Sequence, residues 1–130
     1  MDTINGAIII TAHPGGPVAE IARGPITLGA NHTADAYVAL VGVVPTDTPV
    51  PPLHQHPYTD GGFYIAEGEI TFQIGDREVI AGPGTFVYIP RGTVHTARMS
   101  GKVPMRGMLI LSPGNAEHVF VPVEAEPEGS

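Results

Sequence analysis

The chain has 130 residues, enough for one domain with one core. Its net charge of −7, with only six Lys and Arg scattered along it, argues against nucleic acid and anionic membrane surfaces as partners. The lack of cysteine excludes disulfides and thiolate metal ligands, so any metal site must be built from His, Asp or Glu.

In chain order, the N-terminus lacks a basic stretch. Its apolar run Ala7 to Ile10 is too short for a signal core or a membrane span, so a cytoplasmic protein is expected. No segment keeps a helical period, and no long helix is expected. Short β-rich runs bounded by turn residues recur instead. Ile8 to Thr11 is one, ended by His13-Pro14-Gly15-Gly16-Pro17. Tyr37 to Val44 is a nearly unbroken apolar strand, followed by a proline-heavy loop from Pro45 to Pro52. Leu53 to Pro57 carries His54 and His56. Phe63 to Ala66 and Ile70 to Ile74 read as a hairpin around Glu67-Gly68-Glu69. Gly75-Asp76-Arg77 turns into Glu78-Val79-Ile80, and Gly82-Pro83-Gly84 precedes a strand from Thr85 to Ile89. Pro90-Arg91-Gly92 is the next turn, with strands at Thr93 to Met99 and Met105 to Leu111. Many short strands at regular spacing predict an all-β sandwich or barrel in a single domain, 1–130, with its core at about 26–112 and an acidic tail at 121–130.

Two histidines at i and i+2 on a strand share one face. Imidazole is the commonest metal ligand, and a third histidine delivered after a tight turn would complete a three-nitrogen face with open positions. His54, His56 and His95 are therefore the candidate ligands. Tyr64, Phe72, Phe86, Tyr88, Val94, Met99 and Met108 are candidates for a pocket wall, roughly half of them simply core. No Ser-His-Asp arrangement, phosphate loop or paired-carboxylate motif is apparent.

His54-x-His56, the Glu67-Gly68 turn and Gly84-x5-Pro90-x-Gly92-x2-His95 together resemble the two motifs of the cupin superfamily, over roughly Tyr37 to Leu111. The chain looks most like the small single-domain relatives of quercetin dioxygenases, and Ser112 to Phe120 is similar to their post-barrel segment. The resemblance implies a jelly-roll barrel that binds one divalent metal, zinc or else iron, nickel, manganese or copper, and forms a homodimer. It also implies a Glu ligand upstream of the turn glycine. Counting back from Gly68, that position is Gly61. Water, Asp60, His32 or His118 could take its place. His32 is the favoured side chain, because jelly-roll topology puts the start of the Tyr37 strand at the metal end.

Without the carboxylate, Lewis-acid chemistry on an aromatic or polyketide-like small molecule is favoured, of the cyclisation or isomerisation type found in some polyketide-pathway cupins. A water on the metal is the candidate reactive group, and no catalytic side chain is assigned. A quercetinase-like ring-cleaving dioxygenase is the first alternative. A non-catalytic cupin that binds a small molecule or metal is the second.

Overall fold

The computed structural model describes residues 2–9, 26–116 and 121–123. His13 and His118 lie outside these residues. The strands are β1 (Asp2–Ile4), β2 (Ala7–Ile9), β3 (Ile26–Leu28), β4 (Val38–Val44), β5 (His54–Gln55), β6 (Asp60–Glu67), β7 (Ile70–Ile74), β8 (Arg77–Ala81), β9 (Thr85–Ile89), β10 (His95–Met99), β11 (Met105–Ser112) and β12 (Val121–Pro122). Short 3-10 turns occupy Ala30–His32 and Gly114–Ala116, and no α-helix is present among the described residues. Accordingly, no helix there is long and apolar enough to cross a membrane.

β1 and β2 form a separate hairpin through Asn5-Gly6, with φ of 49° and 85°. Asn-Gly is the commonest way to supply two such residues in a two-residue turn. The remaining strands form two antiparallel five-stranded sheets that make a jelly-roll sandwich. One sheet has the order β12-β5-β10-β7-β8, the other β3-β4-β11-β6-β9.

This topology corrects one expectation. β6 and β7 are consecutive but do not pair, since β6 lies between β11 and β9 while β7 lies between β10 and β8. The Glu67-Gly68-Glu69 segment is therefore a corner between sheets rather than a hairpin. Gly68 sits at φ +80, and a Cβ there would lie 2.8 Å from the Met105 Cα and the Pro104 carbonyl oxygen. Only glycine fits such a left-handed, crowded corner.

The core lies between the sheets and draws on both. Ile65, Val87 and Ile89 come from one sheet, and Ile70, Phe72 and Ala81 from the other. Along β9 the strand period puts Val87 and Ile89 inward and leaves Phe86 and Tyr88 exposed. Tyr64, opposite Phe86 on β6, is exposed as well. Three of the expected pocket residues thus decorate the outside of the sandwich.

Candidate metal centre

β5 and β10 are adjacent antiparallel strands, and His95 is registered directly across from His54. His56 follows two residues after His54, on the same face. The three rings converge. Centroids are 4.5 Å apart for His54 and His95, 5.2 Å for His54 and His56, and 5.8 Å for His56 and His95. One nitrogen from each histidine lies within 4.8 Å of the other two.

The turn that delivers His95 is fastened at several points. The Gly92 N–H donates to the His56 carbonyl at 2.9 Å, and the Thr96 hydroxyl donates to the Pro51 carbonyl at 2.6 Å. The spacing of His95 from the His pair is thus held by hydrogen bonds within the site.

Two of the rings have defined tautomers. Nδ1–H of His54 donates to the Pro52 carbonyl at 2.8 Å, and Nδ1–H of His95 donates to the Thr93 carbonyl at 2.9 Å. A carbonyl oxygen only accepts, so each Nδ1 carries the proton and each Nε2 keeps its lone pair. Metal-binding histidines are oriented in this way. His95 is only 6% exposed. Burial lowers its pKa from the usual 6.5, with His54 and His56 adding to the effect and the Thr93 hydrogen bond opposing it. His95 is therefore neutral at pH 7. Three converging imidazoles, two of them with Nδ1 turned to backbone carbonyls, make a donor set that fits a divalent ion.

The other candidates are placed differently. His32 is exposed in the turn Ala30–His32 and is not part of the three-histidine group. Its Nδ1 accepts a hydrogen bond from the Gly29 N–H at 3.1 Å. Neutral imidazole that accepts at Nδ1 carries its proton on Nε2, so this tautomer offers no lone pair to a metal.

Asp60 is engaged elsewhere. Its carboxylate accepts from the Arg91 N–H at 2.9 Å and from Arg91 Nε and Nη2, each at 3.2 Å. Hydrogen bonds from the Arg91 side chain, then from its backbone, hold the Asp60 carboxyl below its usual pKa. The pairing is therefore kept at neutral pH and lost only as pH falls through that lowered value. By then ordinary histidines, near 6.5, have already been protonated. Asp60→Ala should weaken zinc binding by less than the 10–100-fold typical of lost outer-sphere partners. Chelator-competition titration would measure this, and a larger loss would show that Asp60 reaches the metal.

Gly61, where the resemblance places a carboxylate, is buried and lines a cavity beside the histidines. The cavity encloses about 240 Å³ including its open mouth, and its wall includes His56, His95, Thr59, Phe63 and Leu111. A Cβ on Gly61 would meet Phe63 Cε2 at 3.2 Å and Leu111 Cδ2 at 3.5 Å, so an apolar wall closes over the missing side chain. None of the seven residues expected to line a pocket lines this cavity. Phe72 is core, and Tyr64, Phe86 and Tyr88 face outward. Sequence reasoning missed Thr59, Phe63 and Leu111. Thr59 and Phe63 share the parity of Gly61, which was the available signal.

Comparison with known proteins agrees with this geometry. A cupin domain family model matches residues 40–111, more than half of the chain. Quercetin 2,3-dioxygenase of Bacillus subtilis is 37% identical over 68 residues, covering 52% of this chain and 20% of that protein. Tetracenomycin polyketide synthase protein TcmJ of Streptomyces glaucescens is 28% identical over 74 residues, covering 57% of this chain and 50% of that protein. The chain thus spans half or less of the curated relatives it matches. Among solved structures, the DMSP lyase DddQ of Ruegeria pomeroyi superposes with a TM-score of 0.56 at 32% identity, over 72% of this chain and 46% of that one. A Klebsiella pneumoniae protein with a double-stranded β-helix domain gives 0.60 at 24% identity, over 70% and 77%, which speaks to the fold alone. With two antiparallel sheets, a converging histidine trio and a family match over most of the barrel, the chain belongs to the cupin domain family.

Proposed function

We propose that this chain is a metal-dependent cupin enzyme acting by Lewis-acid chemistry on an aromatic or polyketide-like small molecule, in a cyclisation or isomerisation. The observation that carries the reading is the donor set. Three imidazoles converge, Gly61 stands at the carboxylate position, and Asp60 is tied to Arg91. His54, His56 and His95 would hold one divalent ion. When bound, it would polarise a carbonyl and acidify an oxygen acid of the ligand. The Pro52 and Thr93 carbonyls hold Nδ1 of two of the imidazoles, which would leave their Nε2 atoms for the ion. Phe63, Leu111 and Ile89 exclude water from one side. The cavity is small and open at its mouth, unlike a pocket that encloses a whole drug-sized ligand. It would take the reacting end of a ligand, with the rest lying across its mouth. Similarity to a polyketide synthase protein and to a lyase supports this choice.

A ring-cleaving dioxygenase is the second reading, favoured by 37% identity to quercetin 2,3-dioxygenase. Metal-stripped protein reloaded with single metals would separate the two. We expect the zinc form to convert polyketide-like aromatic substrates without consuming dioxygen. Dioxygen uptake with quercetin in the iron, copper, nickel or manganese forms, and an inert zinc form, would overturn the Lewis-acid reading.

A further inference from the structure

Thr59 is 2% exposed, lines the cavity beside His56 and His95, and its hydroxyl has no hydrogen-bond partner. A buried hydroxyl without a partner costs free energy, because water would have satisfied it. Valine has nearly the same shape and would avoid that cost. The neighbouring wall is apolar, formed by Phe63, Leu111 and Ile89, so protein packing offers no use for the group. The placement follows from strand parity. Thr59 and Gly61 are both buried, while Asp60 between them turns out to meet Arg91. The hydroxyl therefore stands two residues from the vacated carboxylate position, on the same side of the chain.

We propose that Thr59 contacts the ligand directly, donating a hydrogen bond to an oxygen of a carbonyl, enol or phenol compound held at the three-histidine centre. The inference rests on the metal-centre reading above. A small oxygen donor with two adjacent oxygens suits both groups, one oxygen toward the ion and one toward the hydroxyl. Three uncharged ligands favour an anionic partner such as the enolate of a 1,3-dicarbonyl, since nothing else in the group offsets the charge of a divalent ion.

The test uses zinc-loaded protein with acetylacetone as probe, followed by the ultraviolet band of its enolate. Thr59→Val should weaken acetylacetone binding by about 3- to 10-fold, the worth of one hydrogen bond, and leave zinc content unchanged. Thr59→Ser, which keeps the hydroxyl, should restore most of the affinity. In metal-free protein Thr59→Val should melt higher than wild type, because the unpaired hydroxyl is gone. Equal acetylacetone binding by wild type and Thr59→Val, or none by the wild-type zinc form, would overturn the Thr59 assignment while leaving the metal centre standing. A lower melting temperature for metal-free Thr59→Val would also overturn it, by revealing a structural partner. Failure of wild type to take up zinc would sink the metal-centre reading, and this inference with it.

Discussion

His95→Ala should strip most of the metal from the protein. Three ligands become two, and the residue lost is the buried one, registered across from His54. Loss of an outer-sphere partner alone weakens metal binding about 10–100-fold, so loss of this ligand should exceed about 100-fold. Elemental analysis after gel filtration, with chelator-competition titration, would measure it. Unchanged stoichiometry would remove His95 from the site. The same variant has a pH signature. Burial lowers the folded-state pKa of His95 below 6.5, so the unfolded chain takes up this proton more readily than the folded one. The stability due to neutral His95 is therefore complete above pH 6.5 and lost as pH falls through the lowered value. Metal-free His95→Ala should lack that part of the acid dependence.

Phe72→Ala should cost about 3–5 kcal/mol, the usual range for an aromatic removed from a core. Phe72 is 0% exposed, and its ring meets Phe63 edge-on with centroids 5.2 Å apart. Phe63 in turn covers the side-chain position of Gly61 and forms the cavity wall. The substitution therefore removes packing from the core and support from the wall together. Urea unfolding would give the cost, and the melting temperature should fall by about 10 °C or more. A loss below about 1 kcal/mol would mean that the neighbouring core collapses into the space.

The parts of this molecule that were legible in the sequence are those set by local pattern. His54 and His56 reach one site because they are only two residues apart, His54 opening β5 and His56 lying just past its end, and the Pro90-Arg91-Gly92 turn announces the delivery of His95. The all-β architecture follows from short apolar runs between turn residues. What stayed hidden depends on partners far along the chain. The Glu67-Gly68 corner resembles a hairpin locally, and only the pairing of β6 with β9 and β11 shows that the chain changes sheet. Tyr64, Phe86 and Tyr88 are aromatic and near the site in sequence, yet register turns them outward. The Asp60–Arg91 pair joins the first residue of β6 to the turn after β9, and the tautomer of His32 is set by a backbone N–H that composition does not reveal.

The interleaving of the sheets would give an ion held by the histidine trio a role in holding the chain together. β5 belongs to one sheet, β6 to the other, β7 and β8 to the first, β9 to the second, and β10 to the first again. The segment between His56 and His95 therefore passes repeatedly through both layers. An ion held by residues at its two ends would close that loop as a cross-link, and β5, only two residues long, would gain most as an anchor. Because the unfolded chain does not bring these residues together, the ion would favour the folded sandwich by mass action, in proportion to its free concentration over its dissociation constant. Metal supply would then act as a thermodynamic tether on the whole jelly roll, apart from anything the ion does to a substrate.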